Sequence, residues 1–494
     1  MTSKTTSEEL ERTLQRAAEA SSALAETPRS TRAIYLDRVA DALESEREAL
    51  VATAHEETHL PLARLNAELT RTVFQARLFA DELRRGLFLG ATVDHADDGW
   101  PMGPRPDLRR ATVPLGVVLV FAASNFPFAF SVFGGDSASA LAAGCPVILK
   151  AHSYHPQLSL QTARVVIDAL ASAGAPVGAF AAIAGRDAGV AALRDDRVDA
   201  AGFTGSLHAG RMLHDIAATR PRPIPFFGEL SSVNPVFVTR SAARSRSKVV
   251  ATGLVASVTN GVGQFCTKPG IVFLPAESDL VAAVVEEARR VAPQPMLHPN
   301  IAESFHESVD AVSAQYGVEH RLRAEEREEL MTGPEVLTTT SERFLVASDD
   351  LSRECFGPAV LLVTYENESE LPGLAETFSG ELTASLHAEP DDEIVGPLVR
   401  ILRRRVGRLV WNGWPTGVTV SYAQQHGGPY PATTASSTTS VGMAAIERFL
   451  RPVAYQDWPE HLLPPELTDA NPEGAPQRVD GEAHTTHTTD RSAR

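Results

Sequence analysis

Gly144 to Pro156 reads G-C-P-V-I-L-K-A-H-S-Y-H-P. A short apolar run, Val147 to Lys150, follows a Gly-Cys-Pro turn and ends on a cation. A helical pattern from Gln157 to Ala173 comes next. A buried strand that feeds a helix is the half-unit of a parallel α/β sheet. The neighbouring runs repeat it: Val117 to Phe121, Phe180 to Ile183, Ala200 to Phe203 and Ile224 to Phe227, with Ser206 to Ala218 as another helix. A second alternation occupies Pro235 to about Tyr422, with apolar runs at Ile271 to Leu274, Ala359 to Thr364 and Leu409 to Trp411. The reading is an α/β protein with two Rossmann-type domains.

The flanks differ in texture. Residues 7 to 85 carry helical stripes, with Ser30 or Thr31 as N-cap of the second and Gly86 stopping the last. Residues 90 to 112 are rich in Asp, Gly and Pro, as expected of a protruding arm. A short helix and strand are expected within Ala444 to Tyr455. Residues 468 to 494 are polar, include T-T-H-T-T, and read as a disordered tail.

Composition narrows the function. The 494 residues carry a formal charge of −17, from 45 Lys+Arg against 62 Asp+Glu. That argues against nucleic acid or an anionic membrane as a partner. Three cysteines, Cys145, Cys266 and Cys355, form neither a disulfide framework nor a zinc pattern, so no metal is expected. The N-terminus lacks an apolar signal core, and the most apolar stretch, Val113 to Leu149, is too interrupted to span a membrane. A cytoplasmic protein is predicted.

Chemistry concentrates around Asn260 to Gly270, N-G-V-G-Q-F-C-T-K-P-G. Lys248 to Thr259 is helical, with Val249, Gly253, Val255 and Ala256 as its apolar stripe, and Ile271 begins a strand. Cys266 therefore lies on a tight loop between rigid elements, where catalytic groups gather. A lone cysteine is more often an inert buried thiol; other segments change the balance. In V-F-A-A-S-N-F-P, Asn125 leaves a strand end, and its amide can donate to an oxyanion. After Lys150 no acid occurs up to Pro156; a cation and Ser153 stand where an acid ordinarily binds ribose hydroxyls, which suits a phosphorylated ribose. In F-T-G-S, Gly205 and Ser206 join a strand to a helix N-terminus, a seat for pyrophosphate. Glu229 in P-F-F-G-E-L-S-S-V-N-P is the only acid between Asp215 and Glu277 and a candidate base. Glu354 and Phe356 in E-C-F-G-P could hold a ribose and ring.

Together, and in this order, these motifs resemble the aldehyde dehydrogenase superfamily over nearly the whole chain. The resemblance implies Cys266 as nucleophile, Glu229 as base and Asn125 as oxyanion donor. It implies Lys150, Gly205, Ser206, Glu354 and Phe356 as cofactor contacts. It also implies a nucleotide-binding domain (1–90 and 113–229), a catalytic domain (230–422) and an oligomerisation arm (91–112 and 436–465), hence a homodimer or homotetramer. The branch most resembled is the 2-oxoglutarate semialdehyde (2,5-dioxopentanoate) dehydrogenases, through S-N-F-P-F-A-F-S-V-F-G-G-D-S-A-S-A-L-A-A-G-C-P, E-L-S-S-V-N-P, H-G-G-P-Y-P-A-T-T and T-S-V-G-M-A-A-I-E-R-F-L-R-P-V. That branch is also similar to NADP-dependent fatty aldehyde dehydrogenases, which implies Ser153 and Arg186 beside the cofactor and His426 beside the cysteine. Most of the superfamily has E-L-G-G-K after the base and an acid near the lysine; this chain has S-S-V-N and K-A-H-S. NADP is the expected cofactor, with NAD possible. The expected substrate is 2-oxoglutarate semialdehyde, with medium- or long-chain aldehydes as the alternative. A catalytically silent scaffold of the same fold and a cofactor-free thiol hydrolase or acyltransferase are the remaining classes.

Overall fold

Val117–Phe121 is V-V-L-V-F, apolar throughout and buried along its length, so both faces of this strand must be covered. In the computed structural model, which describes residues 4–324 and 330–484, it is the middle strand of a five-stranded parallel sheet. The order across that sheet is Phe180–Ile183, Val147–Lys150, Val117–Phe121, Val198–Thr204, Phe226–Glu229. The chain order reverses beside the middle strand. Such a switch point opens a crevice at the carboxyl ends of the strands. Phe121, Lys150, Thr204 and Glu229 end four of them.

The second sheet has seven strands in the order Glu319–Leu322, Glu335–Thr340, Ala359–Tyr365, Ile271–Pro275, Val236–Val238, Glu381–His387, Val406–Trp411. All neighbours run parallel except the first pair. Its core is aromatic. Phe273 is fully buried, stacks on Phe237 at 4.9 Å between centroids and meets Phe344 edge-on at 5.2 Å.

Four helices, Ser7–Glu26, Arg29–Ser45, Arg47–Thr58 and Leu62–Arg85, precede the first sheet. The last ends on Gly86 at φ 76°, as expected. The second does not use Ser30 or Thr31 as a cap: Pro28 precedes it, no side chain caps it, and both residues lie inside the helix. Proline lacks the amide that would continue the preceding helix, so the boundary falls there. The helix before the Cys266 loop also differs from expectation. It runs Arg240–Thr259 with non-helical backbone at Arg246, and beyond that break the buried face is one residue out of step with the expected Val249. Val249 is 69% exposed, while Val250, Leu254 and Val258 are buried.

A third sheet joins Leu450–Gln456, Leu108–Pro114, Ala91–Asp94, Gln477–Val479 and Glu482–His484 in that order. This corrects the reading of residues 468–484 as disordered. Gln477–Val479 pairs in parallel with Ala91–Val93, and Asp480 accepts from His95 and from Arg105. The polar composition of this segment reflects an exposed edge held by charge pairs, while the sheet's small apolar cluster, Ala91, Ala111, Leu463 and Leu467, comes from elsewhere in the chain. Residues 485–494, including His487, lie outside the described residues. Among the described residues, no helix is long and apolar enough to cross a membrane.

Phe273→Ala should destabilise the protein by about 3–5 kcal/mol, because the aromatic shell around it cannot collapse onto the void. Urea unfolding followed by tryptophan fluorescence checks this; a loss below about 1 kcal/mol would show that the second sheet does not depend on this stack.

Candidate active site

The carboxyl edge of the first sheet faces loops that enter the amino edge of the second. Cys266 and Glu354 both lie on such loops, ahead of Ile271–Pro275 and Ala359–Tyr365. The turn before Cys266 is tightly wound: Gly261, Val262 and Gly263 have φ of 55°, 57° and 66°. A Cβ on Gly263 would come within 2.3 Å of the Gly357 backbone, so the two loops touch main chain to main chain. Val262 is the costly member, since L-residues with a branched Cβ rarely adopt positive φ.

The structure brings the three residues expected to do the chemistry together. Asn125, Cys266 and Glu354 line one cavity of about 630 Å³, with Lys150, Ser206 and Phe356 also on its wall. Asn125 is buried, and its Nδ2 donates to the Gln264 carbonyl at 3.1 Å. Glu229 ends its strand just behind. Its Oε1 is 2.8 Å from His426 Nε2, and its Oε2 accepts from Ser440 Oγ at 2.6 Å. His426 Nε2 in turn lies 3.6 Å from Cys266 Sγ. The three functional atoms sit within 4.8 Å of one another, so His426 belongs to the centre as expected.

Glycine amides on such a loop can acidify a thiol, but the electrostatics here run the other way. Burial pushes the Cys266 thiol well up, and the Glu229 charge beside it adds to the effect. Burial also works to raise Glu229, but His426, then Ser440 and Cys266, outweigh it and hold the carboxyl below its usual range. Glu229 is thus ionised next to a protonated thiol, which suits a base that takes the thiol proton as substrate arrives.

The cofactor candidates spread along the same cavity. The Lys150 ammonium makes no hydrogen bond or ion pair among the described residues, and burial lowers its pKa. Gly205 and Arg186 line the wall; Gly205 donates to the Glu229 carbonyl at 3.1 Å and Ser206 caps Leu207–Thr219. Burial pushes the Glu354 carboxyl up to about 7, against a hydrogen bond from Ser231 and the nearby Lys268. Ser153 is exposed and off the cavity wall; its neighbours His152 and Tyr154 line it instead.

Sequence reasoning missed several residues that hold this centre. Asn234, at φ 50°, donates to the carbonyls of Cys266 at 2.8 Å and Lys268 at 3.0 Å. Arg64 donates to the Asn125 carbonyl at 2.7 Å and lies 4.8 Å from the Phe265 ring. Arg71 lies over Phe130. Ser440 and Asn234 stood inside quoted motifs but had no assigned work; nothing in the helical stripe of residues 62–85 marked the arginines.

A family model described as the aldehyde dehydrogenase family matches residues 1–449. This chain belongs to the aldehyde dehydrogenase family. It is 43% identical over 482 residues to alpha-ketoglutaric semialdehyde dehydrogenase 2 of Azospirillum brasilense, covering 96% of this chain and 92% of the relative. It is 41% identical over 484 residues to the alpha-ketoglutaric semialdehyde dehydrogenase of Acinetobacter baylyi, covering 97% and 92%. Among solved structures, 3,6-anhydro-L-galactose dehydrogenase in complex with NAP shares the fold at TM-score 0.77 and 19% identity, with 91% of each chain covered. The 1-pyrroline-5-carboxylate dehydrogenase from Thermus with bound NAD aligns at TM-score 0.76 and 20% identity, over 92% of this chain and 86% of that one. Membership speaks against the cofactor-free thiol enzyme, and the retained Cys266 and Glu229 speak against a silent scaffold. A Cys–His–Glu grouping alone would also serve a thiol hydrolase, whereas this aldehyde dehydrogenase sets it at the end of a nucleotide-sized cavity.

Removing the Glu229 charge should make Cys266 more acidic. In Glu229→Gln, the pH profile of iodoacetamide alkylation at Cys266 should move to lower pH than in the unsubstituted protein. An unmoved or upward-shifted profile would mean that Glu229 does not set the state of the thiol.

Proposed function

We propose that this aldehyde dehydrogenase oxidises 2-oxoglutarate semialdehyde to 2-oxoglutarate, with NADP preferred over NAD. The observation that carries the chemistry is the Glu229–His426–Cys266 cluster opening onto the cavity lined by Asn125 and Lys150. The substrate reading is supported by the two relatives above 40% identity over almost their whole length.

In this reading the Cys266 sulfur attacks the aldehyde carbon, and the carbonyl electron pair moves onto oxygen, where the Asn125 amide donates to it. The thiol proton passes to Glu229, the ionised neighbour. A bound nicotinamide nucleotide supplies the hydride acceptor for this family's oxidation. Glu229 gives the thiol proton up to solvent, then removes a proton from the water that attacks the thioester carbon, and the Cys266 sulfur departs with the bonding pair as thiolate. His426 and Ser440 orient the carboxylate for both transfers.

The cavity fits the nucleotide. Lys150 offers an unpaired cation at a strand end, and Glu354 is the acid on the cavity wall. A 2′-phosphate brings about two negative charges and strong acceptor oxygens, so the unpaired lysine favours NADP. Ser206 and Gly205 would hold pyrophosphate at the helix start, and Phe356 the ring. The third sheet, whose edge strand Leu450–Gln456 pairs on one side only, supports a homo-oligomer built through the arm.

Two variants test this. Cys266→Ser should lose aldehyde-dependent NADPH formation by orders of magnitude while still binding cofactor; near-normal turnover would remove Cys266 from the chemistry. Lys150→Met should weaken NADP by roughly 10–100-fold more than NAD. Titration of both cofactors decides it, and equal losses, or an unsubstituted protein that prefers NAD, would show that other groups read the ribose.

A further inference from the structure

We propose that Arg71 forms the subsite for the substrate's carboxylate and so selects an aldehyde that carries an acid at its far end. This rests on the reading of the substrate as a semialdehyde of a dicarboxylic acid, and it names the residue that would make that choice.

Three half-buried arginines, Arg64, Arg71 and Arg408, lie near the Cys266 loop and off the wall of the cavity that Lys150 lines. Arg408 donates to the carbonyls of Pro415 and Gly417. Arg64 donates to the Asn125 carbonyl, which occupies it in positioning the oxyanion donor. Arg71 alone of the three makes no hydrogen bond or ion pair among the described residues, and its Nη1 is buried without a partner. A guanidinium has five donors and cannot shed its charge. Leaving a buried one unanswered is costly, so the group calls for a functional explanation, and a bound anion beside a reacting centre is one.

The acid nearest in sequence does not neutralise it. Glu68, one turn earlier on Leu62–Arg85, turns its Oε1 toward the backbone amides of Phe128 and Ala129 at 2.8 and 2.9 Å. Burial raises Glu68 above the usual carboxylate range despite those amides and the two arginines. Burial likewise lowers Arg71, against the pull of Glu68, Cys266 and Glu229; the last two place it within electrostatic reach of the reacting centre.

Distance fits a five-carbon chain. Arg71 Cζ is 5.3 Å from the centroid of Phe130, and Phe130 is 6.3 Å from the His426 ring, which touches Cys266. One aromatic ring thus separates the guanidinium from the nucleophile's partner. The first and fifth carbons of an extended chain lie roughly 5 Å apart at about 1.5 Å per bond. An aldehyde carbon at Cys266 would then leave its carboxylate beside Phe130, within reach of a long arginine side chain. Phe126 and Phe130, 5.3 Å apart, would pack on the methylenes between.

The test is a specificity ratio: kcat/KM for 2-oxoglutarate semialdehyde divided by kcat/KM for pentanal, which has the same length without the acid. Arg71→Gln should lower this ratio on the order of 100-fold, and Arg71→Lys, which keeps the charge but loses the planar fork, should fall between. Competitive inhibition of pentanal oxidation by 2-oxoglutarate should weaken in the same order. A ratio unchanged in both variants would overturn the assignment, whether both activities stay or fall together. A ratio near one in the unsubstituted protein would instead refute the substrate reading and the subsite with it. Arg71→Lys keeps the test alive if Arg71→Gln fails to fold.

Discussion

Six residues between the two large sheets, Leu230 to Pro235, hold the centre together. Glu229 ends the last strand of the first sheet and Val236 begins the second. Between them almost every polar group is spoken for. Glu381 accepts from Ser232 Oγ at 2.6 Å and from the Val233 amide at 2.7 Å. Ser231 donates to Glu354. Val233 accepts from the Gly270 amide at 2.8 Å, while Asn234 takes the carbonyls of Cys266 and Lys268. One short connector therefore fixes the base, the nucleophile loop and the cofactor-side acid against each other. Burial pushes Glu381 up to about 7 in spite of its donors, so the connector is bought at an electrostatic cost.

This explains why the chain departs from the E-L-G-G-K seen across most of the superfamily. Glycines at 231 and 232 could not supply the Ser231 hydroxyl that reaches Glu354 or the Ser232 hydroxyl that the buried Glu381 accepts from; Asn234, just beyond, holds the Cys266 loop. Asparagine also tolerates the positive φ found at that position better than most residues do. The two halves of the C-terminal signature have a parallel role. In H-G-G-P-Y-P-A-T-T, His426 reaches Cys266 and Glu229, while Thr434 accepts from the Gly228 amide at 2.8 Å. In T-S-V-G, Ser440 orients Glu229 and Thr439 accepts from the His426 amide at 2.8 Å. Both segments exist to brace a carboxylate that precedes them by about two hundred residues.

The parallel sheets were legible because their central strands are buried on both faces and read as unbroken apolar runs; Val117 to Phe121 is the same in sequence and structure. Cys266, Glu229 and Asn125 were legible because tight loops at strand ends have few other uses for such side chains. The rest depends on long-range pairing that local pattern does not encode. Val249 was misread because adjacent valines offer two helix faces, and the one buried is that of Val250, Leu254 and Val258. The strand at Gln477–Val479 has no apolar alternation, and only its partner at Ala91–Val93 makes it a strand. Ser153 looked like a cofactor contact by its place after Lys150, yet the turn aims His152 and Tyr154 inward. Arg71 carries no sequence signal; its meaning lies in the missing partner.

The central claim is that an acyl group passes through the Cys266 sulfur on its way to the carboxylate. Peptide-level mass spectrometry of Glu229→Gln, quenched in acid after mixing with 2-oxoglutarate semialdehyde and NADP, tests it most directly. The account predicts a thioester adduct of the substrate's acyl group on the peptide containing Cys266, formed only when cofactor is present. Product formation with that peptide unmodified, or an adduct on Cys145 or Cys355 instead, would contradict it.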